Sequence, residues 1–399
     1  MKIQRCKGMR DLSPSEMTVF RLIEKVYCDC FNKWGYREVR TPTIEYLHLF
    51  TSAGTLTPGM LGKVYSFLDW DGWSGERVVL RPEGTIPTAR LFLSRGSPPP
   101  ARLCYLENFF SFEGTGQEAR ERWQGGAEFL GGASPQAEGE LISLALEVLG
   151  RLGFSPQVKL AHVGVLRDLF FALGEGERWH QALEGSRELA TARPELGETL
   201  GLLFELRGRS PGYLRNLQAL LLPRFPSLKG SLEDFVRVAE LLTSLGVAFE
   251  IDMAGGGEFE YYTGAVFQFF LGGERVGSGG RYDNLLPLLG GQAVPAAGFG
   301  LYLDRLMARL EDRGPRPSVI LVRAGVGVGQ ERAFALALEL RSGGYRVEVG
   351  TSSSPPQFLV EVGDGLQVAG PSGKVVRLPS APEVLGFLKE QGAVKISPT

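Results

Sequence analysis

Two extended stretches constrain this chain more than any other feature. Residues 101–114, ARLCYLENFFSFEG, and residues 122–132, RWQGGAEFLGG, flank the polar stretch GTGQEARE, which reads as a loop or turn. Apolar, aromatic-rich runs bounded by glycine have the pattern of strands, and the second is placed to pair with the first. A chain committed to such a long pairing must extend it into a sheet and cover that sheet with helices.

The flanking segments supply those helices. Ser13 and Pro14 start one: a capping serine, proline at the first helical position, and Glu16 three residues after the cap. Phe20, Ile23, Val26, Tyr27 and Phe31 then recur at helical spacing, which predicts a helix from Ser13 to Trp34. The stretch VYSFLDWDGWSGERVVLRPEGT alternates around Asp71-Gly72 and predicts antiparallel strands, and IPTARLFL then reads as helical. Ala137 to Leu152 predicts a strongly apolar helix. Gly164 to Ala248 is largely helical in pattern and interrupts the strand-rich part as an insertion, about 165–245. The stretch AFEIDMAGGGEFEYYTGAVFQFFLGGERVGSGGRYDNLL returns to strands with glycine turns.

RGPRPS interrupts any helix and reads as a linker. Beyond it, VILVRAG, QERAFALALELRSGG and YRVEVG give strand, helix, strand. The expected fold class is therefore α+β. A core of residues 1–315 holds an antiparallel sheet with flanking helices, and a small α/β domain spans 318–399.

The 399 residues are 43% hydrophobic and 22% charged, with a formal net charge of −2, so no bulk attraction to nucleic acid is expected. Cys6, Cys28, Cys30 and Cys104 form no C-x-x-C pair, and His48, His162 and His180 lie far apart; no metal site is expected. The scarcity of histidine disfavours imidazole acid–base chemistry. The N-terminus MKIQRCKGMRDLSPSEM lacks an apolar core segment, and no run approaches a membrane span. The expected location is the cytoplasm.

Several short motifs carry polar groups with two readings each. In LRPEGT, Glu83 and Thr85 can project together and offer acceptors to an ammonium group, or Glu83 is a solvated turn residue. In QGGAEF, Gln124 and Glu128 share one face of an extended segment, and Gly125 and Gly126 leave room for a ligand near the backbone; alternatively this is an ordinary strand with a solvated polar face. In EYYTGAVFQ, Tyr261 and Tyr262 either close a pocket or fill a half-buried strand. GSGGRYDNLL lacks the G-K-[ST] ending of a phosphate loop, and glycine-dense turns between strands explain it. In GFGLYLDRL, Arg305 stands on a helix, where it could reach a phosphate or be solvated.

Taken in order, GMRDLSPSEM, LRPEGT, RWQGGAEFLGG, EYYTGAVFQ, GSGGRYDNLL and GFGLYLDRL resemble the catalytic core of histidyl-tRNA synthetases, a class II synthetase fold, over about residues 1 to 315. The resemblance implies that Glu83, Thr85 and Gln124 hold the amino group of histidine. It implies that Glu128 and Tyr262 read the imidazole, with Tyr261 alongside. The N-terminal helix and following strand resemble the segment that builds a class II homodimer.

The departures fall on positive charge. Where the synthetases carry an arginine contacting the α-phosphate of ATP, this chain has Ser111. The following loop offers only Arg120 nearby, and a third arginine position is Gly257; the adenine-side arginine corresponds to Arg305. Adenylation brings a carboxylate onto an anionic phosphate, and one lost donor typically costs about 3–4 kcal/mol of transition-state stabilisation. Losing two or three should end useful catalysis, so no catalytic residue is assigned and Arg120 and Arg305 are a residual nucleotide side.

One branch of the family fits that description, the synthetase-like regulatory subunits of ATP phosphoribosyltransferase. The resemblance implies a hetero-octamer with a short-form catalytic subunit, histidine as the inhibitory effector, and no cofactor. The C-terminal residues resemble an anticodon-binding domain only in outline, so no tRNA is expected. The alternative is an active histidyl-tRNA synthetase with relocated arginines such as Arg120, Arg122 or Arg275. A third is a synthetase-derived protein that carries or modifies another amino acid.

Overall fold

A computed structural model describes residues 3–53, 61–70, 75–112, 114, 118–174, 176, 201, 203, 207–253, 261–310, 318–352 and 354–396. The chain divides into two compact units, Met1–Asp312 and Arg313–Thr399.

The first unit opens with α1 (Pro14–Lys33). Its start is the expected capping box: Ser13 Oγ accepts from the Glu16 N–H, and Glu16 accepts from the Ser13 N–H at 2.7 Å. The buried stripe is the expected one, Phe20, Ile23, Val26, Tyr27 and Phe31. Then come β1 (Arg37–Glu38), β2 (Ile44–Tyr46), α2 (Leu47–Ser52), β3 (Ser66–Trp70), β4 (Gly75–Leu80), α3 (Thr85–Arg95), β5 (Ala101–Phe110), β6 (Glu121–Leu130) and α4 (Gln136–Arg151). The Asp71-Gly72 turn lies outside the described residues.

Next are β7 (Gln157–His162) and α5 (Val163–Ala172), then, in the described part of the helical stretch, α6 (Pro211–Leu221) and α7 (Lys229–Ser244). The unit finishes with β8 (Phe249–Ile251), β9 (Ala265–Leu271), β10 (Glu274–Arg281), α8 (Leu285–Leu288), β11 (Ala296–Tyr302) and α9 (Leu303–Met307).

Eight strands form one sheet in the order β1-β5-β6-β11-β10-β9-β7-β8. Its interior pairs are antiparallel, but β1 pairs with β5 and β7 with β8 in parallel. The sheet is thus mixed rather than purely antiparallel: the long stretch of chain between each parallel pair acts as a crossover that returns it in the same direction. A separate three-stranded sheet runs β2-β4-β3.

One expectation fails. GSGG is not a turn but the middle of β10. Its glycines sit inside a central strand because their neighbours occupy the side-chain space. A Cβ at Gly277 would overlap Leu301, and one at Gly280 would meet the Tyr262 ring.

The second unit holds β12 (Val319–Ala324), α10 (Gln330–Ser342), β13 (Arg346–Val349), β14 (Phe358–Val362), β15 (Leu366–Ala369), β16 (Val375–Leu378) and α11 (Ala381–Glu390). Its five strands run β13-β12-β14-β15-β16, with β12 parallel to both neighbours and an antiparallel extension. Ile320, Val322, Leu336, Leu340, Phe358, Val360 and Val384 form its own core. No helix among the described residues is long and apolar enough to cross a membrane.

Candidate functional site

The site lies where the centre of the large sheet meets the start of α3. Strand β6 pairs with β5 on one side and β11 on the other, and β11 pairs with β10. Alternation along β6 brings Gln124 and Glu128 to one face, as their spacing of four requires. A small cavity of about 50 Å3 is lined by Glu83, Thr85, Gln124, Tyr261 and Tyr262, with Ser278, Tyr282 and Tyr302. Five of the six expected ligand-binding residues therefore line one cavity. The sixth, Glu128, lies beneath it, 1% exposed.

Glu128 is the most constrained group of the site. Its Oε1 accepts from Thr85 Oγ1 at 2.8 Å and Tyr105 OH at 3.3 Å, and its Oε2 accepts from Tyr282 OH. Burial pushes its carboxyl up to about 8, against the opposing hydroxyl bonds of Tyr282 and Thr85. Glu83 is half-buried and caps α3, accepting from the N–H groups of Thr85 at 2.7 Å and Ile86 at 2.8 Å. Burial moves it up to about 7, the two amide bonds working the other way. Burial also raises the phenols of Tyr105, Tyr261, Tyr262 and Tyr282 well above their ordinary value, so these hydroxyls act as protonated hydrogen-bonding groups.

Gly125 and Gly126 do not leave ligand room above the strand. The Tyr27 ring lies over Gly125 and the Tyr105 ring over Gly126, where a Cβ would overlap them. Tyr27 also donates to the Gly125 carbonyl at 2.5 Å. The glycines that open space for site side chains are Gly298, opposite Glu128, and Gly300, whose Cβ would overlap Gln124.

Sequence reasoning missed Tyr105 and Tyr282, the two phenols that hold Glu128. It also missed Ser278 and Tyr302, hydrogen-bonded to each other at 2.8 Å. A usable signal existed for Tyr282: in GGRYD it alternates with Arg281 and Asp283 and so faces away from both.

Neither of the residual nucleotide-side arginines lines the cavity, although Arg305 stacks behind its Tyr302. Arg120 reaches the Tyr65 hydroxyl at 3.3 Å, and its guanidinium lies 4.7 Å from the Phe112 ring centroid. Arg305 pairs with Glu274 at 3.3 Å and stacks on Tyr302 at 5.1 Å. Ser111 follows the end of β5, its N–H donating to the Arg120 carbonyl. Gly257 lies outside the described residues. Among the described residues lining the cavity none is lysine or arginine. The four cysteines are free, and the described residues contain no group of three or more metal-ligating side chains.

Residues 8–306 match the family model described as histidyl-tRNA synthetase. The chain belongs to the histidyl-tRNA synthetase family. Within this family it groups with proteins named ATP phosphoribosyltransferase regulatory subunit. One from Dehalococcoides mccartyi is 51% identical over 320 residues, 77% of this chain and 78% of that protein. A histidine–tRNA ligase of Archaeoglobus fulgidus is 34% identical over 367 residues, 88% of this chain and 86% of the ligase. Among solved structures of the family, an ATP phosphoribosyltransferase regulatory subunit/histidyl-tRNA synthetase from Bacillus halodurans aligns with a TM-score of 0.75 at 28% identity, over 88% of this chain and 95% of that one. The histidyl-tRNA synthetase of Nostoc sp. PCC 7120 shares the fold, with a TM-score of 0.77 at 18% identity over 98% and 100% of the two chains.

Proposed function

We propose that this chain is the non-catalytic regulatory subunit of an ATP phosphoribosyltransferase and that the cavity around Glu128 is its histidine sensor. The carrying observation is the contrast in the site. The acceptors suited to an ammonium, Glu83, Thr85 and Gln124, line the cavity, and Thr85 Oγ1 and Tyr282 OH tie that lining to the buried Glu128, whereas the described lining holds no lysine or arginine suited to a triphosphate. Glu83, Thr85 and Gln124 hold the amino group of histidine in this reading. Glu128 accepts from the imidazole, with Tyr261 and Tyr262 closing over the ring. Phosphoryl-type chemistry depends on preorganised positive charge, and Arg120 and Arg305 are engaged with protein partners instead.

The subunit works in the cytoplasm as a homodimer through its class II core, within a hetero-octamer with short-form catalytic subunits. Its similarity to named regulatory subunits, higher than to the synthetases, supports a catalytic partner subunit. The deciding experiment adds the purified chain to a short catalytic subunit. Phosphoribosyl transfer should rise with the chain present and fall when histidine is added. Histidine-dependent ATP–pyrophosphate exchange at synthetase-like rates by the chain alone would overturn the assignment.

A further inference from the structure

The two segments that supply Tyr261, Tyr262 and Tyr282 to the first cavity also build a second one. This is a cleft of about 330 Å3, within the usual range for small-molecule sites. Thr263 and Gly264 line it directly after Tyr262, and Arg281 and Asp283 line it on either side of Tyr282. Its opposite wall comes from the start of α5 and from α7, where buried His162 faces Asp234 at 3.2 Å.

Among the described residues, the groups left without protein partners in this cleft are of two opposite kinds. On the donor side is the start of α5. There the Val163 N–H donates to the Gly264 carbonyl and the Val165 N–H to His162 Nδ1, while the Gly164 N–H makes no bond to the described residues. Arg167 uses Nε and Nη2 on Asp168 Oδ1, so Nη1 is unused. On the acceptor side, Asp283 Oδ1 takes bonds from Arg281 and the Ala296 N–H, leaving Oδ2, and Asp168 likewise keeps Oδ2. Unused donors at a helix start favour a carboxylate, and unused carboxylate oxygens favour an ammonium. A site carrying both within one amino-acid-sized space matches a ligand carrying both.

We propose that this cleft binds an amino-acid-sized zwitterion, with its carboxylate at Gly164 and Arg167 and its ammonium at Asp168 and Asp283. Occupancy is coupled to the first cavity through the shared segments. Thr263 is bonded to the Arg281–Asp283 segment three times: its N–H donates to the Arg281 carbonyl at 2.7 Å, its Oγ1 donates to the same carbonyl at 3.4 Å, and its Oγ1 accepts from the Asp283 N–H at 3.0 Å. A movement there carries Tyr262 and Tyr282 with it, and Tyr282 donates to Glu128. Binding in the cleft stands independently; the coupling rests on reading the first cavity as a histidine pocket.

The test is calorimetry on the full-length chain with a panel of free L-amino acids, each titrated with and without saturating histidine. At least one should bind in the presence of histidine. It should lose at least about tenfold in affinity in Arg167→Ala and in Asp168→Asn, variants that leave histidine binding at Glu128 intact. By reciprocity it should change the apparent histidine affinity by about fivefold or more. No binding by any member of the panel, or equal heats from acetate or methylammonium alone, would overturn the cleft. Arg167-dependent binding in a chain that does not bind histidine would uphold the cleft and sink both the coupling and the histidine-pocket reading.

Discussion

Gly298 stands directly opposite Glu128 in the β6–β11 ladder, and a Cβ at position 298 would overlap Glu128 Oε2. The carboxylate therefore occupies the space a side chain would fill. Gly298→Ala should force Glu128 off Tyr282, destabilising the fold by about 1–3 kcal/mol as an overpacked core does. Denaturant unfolding reads the stability, and histidine titration should show a weaker complex. An unchanged unfolding midpoint together with unchanged affinity would contradict the packing argument.

Removing the acceptor itself isolates its role. Glu128→Ala should weaken histidine binding by about 1–3 kcal/mol, because an imidazole N–H is left unpaired. Tyr105→Phe is the milder probe. It deletes the bond to Glu128 and leaves Gln124 Nε2 without the phenol oxygen it donates to at 3.2 Å. A loss of about 0.5–1.5 kcal/mol is expected by calorimetry. A larger effect from Tyr105→Phe than from Glu128→Ala would reverse the assignment.

The raised carboxyls make stability depend on pH in a definite direction. Glu83 at about 7 and Glu128 at about 8 both lie above the ordinary 4.5. Between about 4.5 and 8 the folded chain binds more protons at these sites than the unfolded chain does. Their contribution is complete below 4.5 and is lost as pH rises through 7 and 8. A carboxyl raised by one pH unit contributes about 1.4 kcal/mol at most, so the unliganded chain should be less stable at pH 9 than at pH 6 by a few kcal/mol. Glu128→Gln should flatten that slope. An identical slope in the variant would show that Glu128 does not titrate in this range.

Arg281 and Glu138 form a second buried dependence, Nε to Oε1 at 2.6 Å with side chains 5% and 0% exposed. Arg281 also donates to the Gly132 carbonyl at 3.1 Å, fixing the turn after β6. Arg281→Ala should cost about 3–5 kcal/mol, since it strands a buried carboxylate. The double variant Arg281→Met/Glu138→Leu should recover much of that loss in a chemical denaturation series. Failure of the second change to compensate would mean that the damage comes from the Gly132 turn rather than from the unpaired charge.

Local patterns carried much of this structure. The capping box at Ser13 and Glu16 and the apolar stripe of α1 depend on residues within a few positions of one another, so the sequence alone determined them. Alternation likewise settled that Gln124 and Glu128 share a face, and the order of six motifs pointed to the family. What tertiary structure decided was how those faces are filled. Tyr105, Thr85 and Tyr282 reach Glu128 across 23, 43 and 154 residues of chain. Whether a glycine opens a site or merely admits a neighbour's ring depends on the strand opposite, as Gly298 and Gly126 show. Cross-strand register and ring packing are fixed only when the sheet closes. No spacing along the chain encodes them, because the deciding contact is with an atom far away in sequence.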